Sequence, residues 1–89
     1  MEYIITFKST HLAMKAEQYL LDEKLTFIMI PLPSQISAGC GICVKASSDG
    51  IEKALKTLKD KQVDGTALFS RIMENGRYVY TQMEGEFMF

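Results

Sequence analysis

Two thiols three positions apart, Cys40 and Cys43, are the side chains of this 89-residue sequence best suited to chemistry, and Cys40 stands between Gly39 and Gly41. A thiol with an ordinary pKa of about 8.5 is only about 3% ionised at neutral pH, and lowering that pKa to about 7 makes the thiolate about half the population. Glycines on both sides allow backbone N–H groups to turn toward a sulfur anion and leave the thiol open to a partner. Cys40 is therefore a candidate nucleophile or carrier thiol. The plain structural alternative is a small buried hydrophobe in a turn that the glycines shape.

Cys40-Gly41-Ile42-Cys43 also has the C-x-x-C spacing of a dithiol redox pair. In thioredoxin-like motifs the pair opens a helix, whereas Val44-Lys45-Ala46 continues here as a strand. Extended residues 40 to 43 would span about 10 Å and point their thiols to opposite faces. A disulfide needs Cα atoms within about 7 Å, so Cys43 is a second thiol only if a tight turn forms, and otherwise packs on the sheet. A closed zinc site usually takes four Cys or His ligands, and the sequence offers Cys40, Cys43 and its one histidine, His11. No metal and no cofactor is assigned. His11 reads as a partly exposed first-turn residue that could support Cys40. Recognised nucleotide-loop, zinc-protease and serine-hydrolase motifs are absent from the sequence.

Charge and composition narrow the field. Ten Lys and Arg against eleven Asp and Glu give a net charge of -1, too weak a field to hold a phosphate backbone, so no nucleic-acid partner is expected. With 47% apolar and 24% charged residues the chain should fold alone as a single domain, residues 1–89. Met1 to Lys8 lacks the pattern of a secretory signal, and its apolar run is far shorter than the roughly 20 residues that span a bilayer. A cytoplasmic protein with reduced thiols and no membrane partner is expected.

The elements that must position Cys40 follow from periodicity. Tyr3 to Lys8 predicts a first strand, and Ser9-Thr10 offers hydroxyls for the N-cap of a helix running from His11 to Glu23. Thr26 to Ile30 predicts a buried strand stopped by Pro31 and Pro33, and Cys40 to Ala46 a third strand after an aperiodic loop. Asp49 and Glu52 match a capping box before a second helix with Ile51, Ala54, Leu55 and Leu58 on one face and lysines opposite, a solvated surface or a contact for an acidic protein. Asn75-Gly76 predicts a closing hairpin between Ala67–Met73 and Arg77–Thr81. Phe87-Met88-Phe89 would fill the core or cover a sheet edge. This order fits an α+β, ferredoxin-like split βαβ (β-α-β-β-α-β) with an additional C-terminal strand and two helices on one sheet face. If the third strand pairs beside the first, Cys40 lies near Ser9, Thr10 and His11 at a helix N-terminus.

Tyr3-Ile4-Ile5-Thr6-Phe7, Ser9-Thr10-His11, Ile30-Pro31-Leu32-Pro33, Ile36-Ser37-Ala38-Gly39-Cys40-Gly41 and the Asp49 to Leu58 helix together resemble the small bacterial family described as putative selenium/sulfur carrier protein-like. The resemblance covers roughly residues 1–65, leaving 66–89 as a C-terminal hairpin and tail. It carries the family's cysteine onto Cys40 and implies that this thiol accepts sulfur or selenium from a donor protein, such as a cysteine desulfurase, and passes it to an acceptor protein. Thr10 and His11 at the helix start, Gly39, Gly41 and Ser37 in the loop are the expected supporting residues. Ser34 stands where relatives tend to have arginine, and Cys43 is not a family feature. A carrier or binding protein, rather than an independent enzyme, is expected. The alternative is a non-catalytic interaction or oligomerisation module, with a structural Cys40 and an exposed strand or the terminal hairpin pairing to a partner or a second copy.

Overall fold

A continuous run of aromatic and β-branched residues near the N-terminus, Tyr3-Ile4-Ile5-Thr6, builds the central strand, β1 (Glu2–Thr6), which is flanked on both sides by other strands. The computed structural model describes residues 1–83. After β1 come α1 (Thr10–Asp22), β2 (Ile28–Pro31), β3 (Ile42–Ser47), α2 (Ile51–Asp60) and a hairpin of β4 (Ala67–Glu74) and β5 (Arg77–Met83). The sheet is antiparallel throughout its five strands, in the order β2-β3-β1-β4-β5. The expected α+β class with two helices is present. The sheet departs from the order of a four-stranded ferredoxin-like sheet, because β5 forms its outer edge beyond β4. Phe87-Met88-Phe89 lies outside the described residues.

Strand alternation divides the core in two. Ile5 of β1, Val44 and Ala46 of β3 and Leu68 of β4 are buried together with Ala13, Ala16 and Leu20 of α1 and Ala54, Leu55 and Leu58 of α2. Both helices thus bury their apolar faces in one cluster. Ile4 and Cys43 point to the other face, where Ile36 of the loop after β2 covers them, with Ile30, Phe69 and Tyr80 alongside. On that same face Glu2 Oε1 accepts from Arg71 Nε at 2.9 Å and from Arg71 Nη2, Lys45 Nζ lies 3.4 Å from Glu2 Oε2, and the guanidinium sits 4.0 Å over the Tyr78 ring. The Arg71 hydrogen bond, outweighing a smaller effect of burial, holds the Glu2 carboxyl below its ordinary value.

Local chemistry sets the ends of the elements. Ser9 is the N-cap of α1, with extended backbone (φ -151°, ψ 157°) and its hydroxyl accepting the Leu12 N–H at 3.2 Å. The capping box foreseen at Asp49 and Glu52 does not form. The Gly50 N–H bonds the Ser47 carbonyl at 3.1 Å, and this turn makes Gly50 the N-cap, one residue after Asp49 and without a side-chain cap. Glu52 still lies in the first turn, where a carboxylate favours the helix dipole. At the hairpin, Asn75 (φ 52°) and Gly76 (φ 78°) both take the left-handed conformation that a two-residue turn requires. Replacing Ser9 by Ala removes the side-chain acceptor of the Leu12 N–H in the first turn of α1, and urea unfolding should show a loss of about 1 kcal/mol. An unchanged midpoint would mean that the hydroxyl contributes nothing to the helix start.

Candidate functional site

Residues 32–41 return from β2 to β3 by a detour that ends against the start of α1. The loop is tied at three places: Ile36 N–H to Pro33 O at 3.0 Å, Leu32 N–H to Gly41 O at 2.9 Å, and Cys40 N–H to Phe7 O at 3.2 Å. Gly39 makes the last tie feasible. A Cβ built there would fall inside the Lys8 carbonyl oxygen and 2.8 Å from its carbon, so only glycine allows the two backbones to meet. Gly41 is different, since a Cβ there meets nothing within 4 Å and its backbone is not left-handed.

The detour places Cys40 at the start of α1, as the β1–β3 pairing implies. Its thiol donates to Thr10 Oγ1 at 3.7 Å, and its sulfur accepts the Ile42 N–H at 3.5 Å. The amide on the sulfur is therefore that of the first residue of β3 rather than one from the first turn of the helix. Accessibility is also corrected: Cys40 is 1% exposed and belongs to the cluster beneath the helices, not an open thiol. Backbone ties across the chain, rather than the size of its glycine neighbours, decide that burial. The surface lies one residue away, since Gly39, Gly41 and Thr10 are all exposed.

The other expected residues divide. Thr10 touches the sulfur. His11 is exposed and, among the described residues, has no hydrogen bond to Cys40. Ser37 is exposed and lines a shallow groove with Phe7, Lys8, Gly39, Gly65 and Ala67. Cys43 lies across the sheet in the second cluster, its thiol directed at the carbonyls of Ile30 (3.7 Å) and Pro31 (3.9 Å). Burial first, then the neighbouring Cys40, push its pKa up to about 11. Both cysteines are free, and among the described residues no three His, Cys, Asp or Glu side chains gather as metal ligands. Two contacts escaped sequence reasoning, the Ile42 amide and the Lys8 carbonyl, because backbone groups carry no side-chain signature.

An α+β domain with one cysteine pinned beside a helix start and another sealed beneath the opposite sheet face is what the fold and the site define. Residues 2–70 match the family described as Putative Se/S carrier protein-like, and the chain belongs to that family. No curated protein and no solved structure matches it. The family match takes in both cysteines and ends within β4.

Two predictions follow from the geometry. Gly39→Ala forces the loop off Lys8 and should cost about 2 kcal/mol or more, as strained core changes do, while Gly41→Ala should stay within about 0.5 kcal/mol of the parent. Equal losses in urea unfolding would contradict the assigned contacts. For Cys43, the unfolded chain gives up the thiol proton near pH 9 while the folded chain keeps it until about 11, so stability falls as pH rises through that window. The contribution is at most about 2 to 3 kcal/mol. Cys43→Ala should show a shallower decline between pH 9 and 11, and parallel curves for parent and variant would count against a buried, protonated Cys43.

Proposed function

We propose that the protein is a thiol-based carrier that takes up sulfane sulfur, or selenium, on Cys40 and delivers it to an acceptor protein. The observation that supports this most is the surroundings of the Cys40 sulfur. A hydroxyl and an N–H, groups able to stabilise an anion, lie beside it at an exposed helix start, whereas Cys43 faces carbonyl oxygens that favour the protonated thiol. In the loading step the Cys40 thiolate attacks the outer sulfur of a donor persulfide R–S–SH. The donor S–S bond breaks, RS⁻ leaves, and the Cys40 persulfide that forms keeps the proton of the transferred sulfur. Delivery repeats the exchange with an acceptor thiolate, so neither step consumes an external oxidant or reductant.

Because Cys40 is buried, loading requires residues 39–41 to lift from Phe7 and Lys8, a local opening that breaks the backbone ties of Cys40 to Phe7 and of Gly41 to Leu32 without dismantling the sheet. Gly41, with open space on its outer side, marks the direction of approach. A reducing, cytoplasmic setting and a cysteine desulfurase as donor fit this chemistry. We read β2-β3-β1-β4 as a ferredoxin-like split βαβ unit to which β5 is added, a description supported by β1 lying between β3 and β4. Among the described residues no helix is long and apolar enough to cross a membrane. The burial of Cys40 favours one alternative, an interaction module in which the thiol is structural.

Incubation of the parent chain with a cysteine desulfurase and cysteine, followed by intact-mass and peptide mass spectrometry, separates the two. The carrier predicts addition of one sulfur atom on Cys40, retained in Cys43→Ser and abolished in Cys40→Ser. No adduct with several desulfurases, while Cys40→Ser lowers stability, would identify a structural thiol.

A further inference from the structure

The two edges of the sheet are built differently. β2 has four residues and ends at Pro31, which has no N–H to offer, and the next residue, Leu32, spends its own N–H on Gly41. β5 has seven residues, Arg-Tyr-Val-Tyr-Thr-Gln-Met, with no proline and no lysine, and among the described residues no strand pairs with its outer side. Tyr78 and Val79 on β5 and Ile72 and Met73 on β4 are 39 to 58% exposed, so this hairpin shows apolar side chains on both faces.

The hairpin fixes which backbone groups remain. Glu74 faces Arg77 directly across the two-residue turn, making them a hydrogen-bonded pair, and such pairs then recur at every second position. Val79, Thr81 and Met83 therefore turn their backbone groups inward to β4, while Tyr78, Tyr80 and Gln82 turn theirs outward.

We propose that β5 pairs with β5 of a second copy of the chain, antiparallel about a two-fold axis at Tyr80, to join two sheets into one. In this register Tyr80 faces its own counterpart and Tyr78 faces Gln82 of the other copy. All the outward groups are used, in about six hydrogen bonds, two for each of three pairs. Because facing residues keep the same parity, the helix layers of both copies stay on one side of the joined sheet. Charge favours the same direction. Arg77 is the only ionic side chain of β5, and the antiparallel register sets it opposite the uncharged Met83 of the other copy, whereas a parallel pair would set two guanidinium groups together. A seven-residue ladder is about 24 Å long, a narrow strip beside the roughly 800 Å² per partner of a standard interface, so the dimer belongs to the weak class that forms at high protein concentration. This association is independent of whether Cys40 carries sulfur.

Sedimentation of the full chain from about 5 μM to 1 mM, a range that spans weak association, tests it. The parent should pass from monomer to dimer across that range. Gln82→Pro removes an outward N–H that β4 does not use, and should weaken association at least about tenfold with an unchanged circular dichroism spectrum. Tyr78→Lys with Gln82→Lys sets like charges across both outer pairs and should leave a monomer, while Tyr78→Lys with Gln82→Glu sets opposite charges there and should restore the dimer. A parent that stays monomeric at 1 mM, or a dimer whose affinity none of these folded variants alters, would overturn the proposal.

Discussion

The contact on which the site depends is the backbone approach of Gly39 to Lys8. It joins two points 31 residues apart in sequence, and it tolerates no side chain. From it follow the Cys40 N–H bond to Phe7, the turn of the Cys40 side chain under the helices, and its meeting with Thr10 at the first turn of α1. Ser9 secures the other half of the arrangement by holding the first turn in place. Without the Gly39 approach the loop would have no reason to bring its cysteine to the end of β1.

Two thiols three residues apart consequently live in opposite environments. Cys43 is a strand residue whose polar neighbours are carbonyl oxygens and whose surroundings are Ile4, Ile30 and Ile36, all of which oppose a negative charge. Cys40 is equally buried but sits in a loop, one residue from solvent on either side, with an amide and a hydroxyl on its sulfur. Burial protects a reactive sulfur species from adventitious chemistry, and a loop is the kind of segment that opens at low cost. Protection with intermittent access suits a carrier whose cargo must survive between two protein partners.

Much of this was legible from residue types. Ser9 as a cap and the Asn75-Gly76 turn follow from local rules of helix ends and positive φ. The proximity of Cys40 to Thr10 follows from topology once β3 lies beside β1. What could not be read is tertiary. Gly39 and Gly41 look alike in sequence, yet one is required by the backbone of Lys8 and the other is not. Asp49 looked like a cap until a turn from Ser47 moved the helix start to Gly50. The Glu2, Lys45 and Arg71 network on the face without helices joins three strands, and no local pattern announces it.

The central claim is that Cys40 is buried at rest and reached by local opening of its loop. Alkylation of Cys40 in Cys43→Ala, followed as a function of urea, tests this most directly because it reads the opening reaction itself. Local opening predicts a labelling rate almost independent of urea well below the unfolding transition, far above the rate allowed by global unfolding. A rate that rises with the full urea dependence of global unfolding at every concentration would show that Cys40 is reached only by unfolding the whole domain, and would contradict the account.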